Sequence, residues 1–277
     1  MILRLLHRSV RGRFRSLGFE SRTLSVTESS LHYLVREHPH PKGTLVLVHG
    51  LGTSSSTWVK MLPHLENAHR IVALDLPGFG FSTANPERGY CTLREHVDAL
   101  SELIANVTKT PITLVGQSFG GWVCCRYAAH FPDRVNHLVL VDTAGVYYPG
   151  VENLRDLFTL QSVDDTRRLL SILWYRYPWY FKPFAGSIYR ELGTRKMNEL
   201  VASIEGKDFL VEELSRLTMP VSIIWGKQDE TISPNSIDVL KKFIPHSTVH
   251  FIDQCGHVPQ LERPKELAEI LNRVLEA

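Results

Sequence analysis

Short apolar runs alternate along the chain with longer stretches whose apolar positions recur at helical spacing. Residues 22–28 and 31–36 read as two short strands of a hairpin. Thr44–Val48 (TLVLV) reads as a strand buried on both faces, and a helix is expected over 55–65. Arg70–Leu74 is the next strand. Over 92–107, Leu93, Val97, Leu100, Leu103, Ile104 and Val107 fall near a helical period. A strand at 112–115 ends in a glycine-rich turn, Gly116 to Gly120, which opens a helix reaching Phe131. Val135–Val141 is again strand-like. After a long interruption the rhythm resumes with a strand at 221–225, a helix at 235–243, a strand at Thr248–Ile252 and a closing helix at 264–275. Such alternation predicts an α/β fold, a mostly parallel sheet with helices on both faces.

The interruption, residues 146–216, has no convincing strand. It holds the aromatics Trp174, Tyr175, Tyr177, Trp179, Tyr180, Phe181 and Phe184. It reads as a helical insertion in a core made of residues 23–145 and 217–277. Residues 1–22 stand apart as a basic arm or helix, with six arginines against the single acid Glu20. Leu3, Leu5, Leu6, Val10, Phe14 and Leu17 interleave with those arginines. Two readings follow: a solvated arm or a helix packed on the body, which is favoured, or peripheral membrane contact through residues 1–18.

Composition narrows the function classes. With 277 residues and 43% hydrophobic content, the chain can bury a full core. A net charge of +2 gives no bulk attraction to nucleic acid. No apolar run reaches the roughly 18 residues of a membrane-spanning helix. Cys91, Cys124, Cys125 and Cys255 form no CxxC pair, so neither a metal site nor a disulfide framework is indicated, and a cytoplasmic setting is expected. Oligomeric state leaves no signal.

The chemistry concentrates at Gly116-Gln117-Ser118-Phe119-Gly120-Gly121. This is G-x-S-x-G directly after a strand and directly before a helix, the context of a nucleophile elbow. A serine hydroxyl is a weak nucleophile and needs a base. His257 is the candidate, in the Gly256-His257-Val258 loop after the last strand. The acid orienting it is Asp229, after the strand at 221–225, or Asp142, at the end of Val135–Val141. Asp229 is favoured, in Gly226-Lys227-Gln228-Asp229 immediately after its strand, and His257 stands out among the histidines as last in the order Ser, Asp, His. Backbone N–H groups of Phe119 and of Leu51, in the His49-Gly50-Leu51-Gly52 loop, are the candidate oxyanion donors.

Together with the stretch DLPGFGFS from Asp75 to Ser82, these motifs resemble the α/β-hydrolase superfamily, from about Thr23 to Leu275. The chain is similar to its serine esterase and lipase branch, including monoacylglycerol-lipase-like enzymes and carbon–carbon bond hydrolases. The resemblance implies an eight-stranded, mostly parallel sheet, with 146–216 as a cap over the nucleophile. Ser118 argues against relatives whose elbow carries aspartate, the haloalkane dehalogenases and epoxide hydrolases. Gln117 stands where histidine is common. The expected reaction is hydrolysis of a small-molecule carboxylic ester, short to medium acyl or lipid-like, through an acyl-enzyme, without metal or organic cofactor. The alternatives are a carbon–carbon bond hydrolase or lactonase with the same triad, and a ligand-binding receptor built on the fold. Trp122, Trp174, Trp179 and Val258 are expected at the substrate.

Overall fold

A computed structural model describes residues 10, 12–27, 29–148 and 150–276. Eight strands form one sheet: β1 (Glu20–Val26), β2 (Ser29–Arg36), β3 (Thr44–Val48), β4 (Arg70–Leu74), β5 (Ile112–Gln117), β6 (Val135–Val141), β7 (Val221–Gly226) and β8 (Thr248–Ile252). Their spatial order is β1-β2-β4-β3-β5-β6-β7-β8. β2 runs antiparallel to β1 and to β4, and the remaining pairs are parallel. This is the expected eight-stranded, mostly parallel sheet.

The apolar pattern explains the layering. All of β3 is buried, as a strand covered on both faces requires. Val46 and Val48 face one core layer, with Leu100 and Leu103 of the helix Leu93–Val107. Leu45 and Leu47 face the other, with Leu267 and Leu271 of the helix Pro264–Glu276. Thr92 and Glu95 close a capping box at the start of Leu93–Val107, satisfying two backbone groups that the helix itself leaves open.

The α-helix expected over 55–65 is replaced by two 3-10 segments, Ser55–Lys60 and Leu62–His64. The bonds are i to i+3, as in Met61 N–H to Trp58 O and His64 N–H to Met61 O. Pro63 has no N–H to extend an α ladder at that point.

Residues 1–9 and 11 of the basic arm lie outside the described residues. Residues 12–16 are helical, and the hairpin begins at Glu20, inside the span expected for the arm. Phe14 and Phe19 are buried edge-to-face at 5.5 Å and join the Leu34–Trp58 side of the core. From Val10 onward the apolar side chains of this segment turn toward the body.

Between β6 and β7 the described residues form only helices and loops, among them Asn153–Phe158, Val163–Leu173, Ala185–Leu192 and Arg195–Ser203. Parallel pairing brings the carboxyl ends of β3, β5, β6, β7 and β8 to one rim, where open α/β sheets hold their sites.

Candidate active site

Ser118 follows the last residue of β5 and precedes the helix Phe119–His130. Its φ of 52° lies in the left-handed region, which costs a non-glycine residue roughly 1–3 kcal/mol. The surroundings hold it there. Ser118 N–H donates to Val141 O, and its carbonyl accepts from the N–H groups of Gly121, Trp122 and Ala144. The neighbouring glycines are required by close approach. A Cβ on Gly116 would lie 2.5 Å from Gly120 O, and one on Gly121 would lie 2.3 Å from Thr143 Oγ1.

Two loops meet this elbow. His257 Nε2 lies 2.9 Å from Ser118 Oγ, and His257 Nδ1 lies 2.7 Å from Asp229 Oδ2. Asp229 Oδ1 accepts the N–H groups of Thr231 and Ile232 at 2.8 and 3.0 Å. With Asp229 ionised, Nδ1 carries the ring proton and Nε2 is free to accept from the serine hydroxyl. All three side chains are buried. The backbone of His257 is tied at both ends: its N–H donates to Leu173 O, and its carbonyl accepts from Gln117 Nε2 at 2.9 Å. Asp142, the other candidate acid, sits at the end of β6 without a hydrogen bond to His257. Its Oδ1 accepts from Gly226 N–H instead.

Asp142, Asp229 and His257 place metal-ligand atom types within 4.8 Å of one another. However, His257 Nδ1 and Asp229 Oδ2 already bind each other, so the cluster fits a proton relay better than an ion.

The loop after β3 brings Leu51 to the same cavity as Ser118 and Phe119. His49 sets its shape. His49 Nε2 accepts from Leu76 N–H at 2.9 Å, so Nδ1 carries the proton and donates to Gly50 O at 2.8 Å. Thr53 N–H and Oγ1 also donate to Gly50 O. In a trans peptide the N–H points opposite the C=O, so Leu51 N–H is turned away from His49 and Thr53. Phe119 opens its helix, so its N–H has no acceptor within the helix. Burial holds His49 below the ordinary histidine range, which keeps the neutral form this network needs.

His96 lies behind the elbow, fully buried beside the rings of Phe79 and Phe119. Burial, the largest cause, pushes it from 6.5 down to about 3. The unfolded chain therefore takes up a proton below pH 6.5 that the folded chain refuses, and stability falls as pH drops from about 6.5 toward 3. One proton corresponds to about 1.4 kcal/mol per pH unit. His96→Phe should flatten the pH dependence of urea unfolding between pH 6 and 4 by up to about that slope. Parallel curves for the two proteins would refute the assignment.

Beside Ser118 the structure has a cavity of about 300 Å³ lined chiefly by apolar groups, with Glu152, Arg155 and Glu205 as its charged members. Trp122 lines it, held by Nε1–H to Asp208 O at 2.9 Å and stacked on Phe209. Trp174, Trp179 and Val258 do not line it. Trp179 is 77% exposed, Trp174 packs on Phe181, and Val258 is buried next to His257. The walls come instead from Val146, Tyr148, Phe158, Val201, Ile204 and Phe209. The sequence reading named none of these for the substrate. Phe158 and Val201 lie on helices, and Val146, Tyr148, Ile204 and Phe209 lie in the connections between elements, where apolar spacing marks neither burial nor what lies opposite.

The sequence profile of the α/β-hydrolase fold family matches residues 43–216 and 208–264. Monoacylglycerol lipase ABHD6 of Bos taurus is 27% identical over 278 residues, covering 93% of this chain and 82% of the relative. Lipase 1 of Psychrobacter immobilis is 26% identical over 238 residues, covering 81% of this chain and 74% of the relative. Among solved structures, a membrane phospholipase A described as a bacterial virulence factor superposes with a TM-score of 0.88 at 26% identity, over 99% of this chain and 92% of that one.

Proposed function

The chain belongs to the α/β-hydrolase fold family and is an ester hydrolase, and on that premise we propose that it cleaves lipid-like carboxylic esters through an acyl-enzyme on Ser118. The observation carrying this reading is the buried chain Ser118–His257–Asp229, with contacts of 2.9 and 2.7 Å, opening on an apolar cavity.

Ser118 Oγ attacks the ester carbonyl carbon as His257 Nε2 takes its proton. Asp229 steadies the resulting imidazolium, and the N–H groups of Leu51 and Phe119 receive the tetrahedral oxyanion. His257 then protonates the leaving alcohol. A water, deprotonated by the same nitrogen, releases the acid and restores Ser118. The acyl chain lies in the cavity against Trp122, Tyr148 and Ile204. The relatives' names, monoacylglycerol lipase and lipase, support a fatty acyl group rather than an acetyl group.

The test is turnover of nitrophenyl esters and monoacylglycerols of increasing acyl length, with a fluorophosphonate as covalent probe. The expected result is release of fatty acid and alcohol with an optimum beyond acetate, and one probe adduct, on the peptide holding Ser118. Turnover of a vinylogous diketone with no ester cleavage would overturn the ester reading in favour of carbon–carbon bond hydrolysis. Tight ligand binding without any turnover would overturn it in favour of a receptor.

A further inference from the structure

Asp142 ends β6 with φ 42°, in the left-handed region, and its carboxyl is fully buried. Because β6 and β7 are neighbours, their ends deliver Asp142 and Asp229 to one place. Asp142 Oδ1 accepts from Gly226 N–H at 2.8 Å, whereas Oδ2 is buried without a donor. One carboxylate oxygen of each aspartate and a ring nitrogen of His257 lie within 4.8 Å of one another. Two buried carboxyls this close do not both ionise at neutral pH. Asp229 accepts from two N–H groups and from His257, whereas Asp142 accepts from one N–H group. Burial first, then the charge on Asp229, raise the Asp142 carboxyl well above the usual carboxylate range. The other titratable groups facing it, Glu262 and Cys255, bring no positive charge.

Resting on the serine-hydrolase reading above, we propose that Asp142 is a reserve acid for His257. With Asp229 present, Asp142 is the neutral member of a carboxyl pair and donates its Oδ2–H to Asp229. With Asp229 removed, it releases that proton to solvent and supplies the negative charge that steadies the imidazolium, through a water filling the vacated space. Asp142 is thus a positioning residue, acting through His257 rather than on the substrate.

The experiment compares kcat/KM for a nitrophenyl ester, from pH 5 to 9, in wild type, Asp142→Asn, Asp229→Ala and the double variant. Loss of a triad acid without a substitute costs on the order of 10⁴-fold. Asp229→Ala is expected to lose only about 10²-fold, and the double variant about 10⁴-fold. Asp142→Asn keeps a donor toward Asp229 and is expected to lose about three- to tenfold. Asp229→Ala should also show an acid limb from reprotonation of Asp142 that the double variant lacks, which a merely structural role would not produce. If Asp229→Ala fails to fold by circular dichroism, Asp229→Ser carries the same comparison. Equal activity of the Asp229 variant with and without Asp142→Asn overturns the proposal. Failure of the serine-hydrolase reading shows differently, as wild type without ester turnover or Ser118→Ala retaining it.

Discussion

Ser118→Ala is expected to lower kcat/KM for the best ester by about 10⁴- to 10⁶-fold. The lost atom is the one that forms the acyl bond, and no other hydroxyl is within hydrogen-bond reach of His257 Nε2 among the described residues. The residual rate would come from the oxyanion donors and from binding. KM should change little, because Ser118 is the only lining residue altered and loses one atom. Stability should also change little, since alanine at φ 52° carries the same backbone strain as serine. A variant within tenfold of wild type would mean that the nucleophile lies elsewhere. The alternative is specific. Ser21 Oγ lies 2.7 Å from His32 Nε2, and His32 Nδ1 lies 2.8 Å from Asp75 Oδ2. This second Ser-His-Asp chain has triad distances, yet Ser21 sits within an antiparallel strand pair, opposite Leu34. No helix begins there to offer free N–H groups to an oxyanion. Asp75 also receives the N–H groups of Ser55 and Phe81, so this chain ties the DLPGFGFS stretch to the sheet edge. Hydrogen-bond distances alone therefore do not identify a nucleophile.

Gly120→Val should abolish activity and destabilise the fold by about 3 kcal/mol or more. A Cβ at position 120 would lie 2.4 Å from His49 O and 2.5 Å from Val48 O. Both atoms are backbone at the end of β3, inside the sheet, so neither can rotate out of the way. The helix after Ser118 would have to lift from β3, separating the Phe119 N–H from the proposed second oxyanion donor, Leu51 N–H. Gly186→Ala is the control, because nothing lies within 4 Å of its Cβ position. Urea unfolding and ester turnover read both variants. A Gly120→Val protein with wild-type midpoint and activity would show that the elbow is not packed on β3 as described.

Much of this was legible in the residues. Strand rhythm follows from apolar runs bounded by turn residues, and the sheet carries every strand that rhythm predicted. The elbow was legible because its glycines answer a steric demand that repeats at fixed spacing. Ser118, Asp229 and His257 were legible as a set by their places after β5, β7 and β8, and the structure brings the three side chains into contact. The 55–65 segment was not, because apolar spacing does not distinguish i+3 from i+4 bonding in so short a piece. Trp179 was misplaced because aromatic content reveals a hydrophobic payload and not the direction it faces. The contact of Gln117 with His257, 140 residues away, has no local signature at all.

The sequence by itself thus determined the order of elements, the tight serine turn and the candidates for base and acid, because periodicity and steric demand act between near neighbours in the chain. Only the tertiary structure decided which side chains wall the cavity, how His49 turns the Gly50–Leu51 peptide, and that Asp142 lies against Asp229. Those outcomes depend on how strand ends and the insertion pack together, and packing is decided by contacts between residues far apart in the chain.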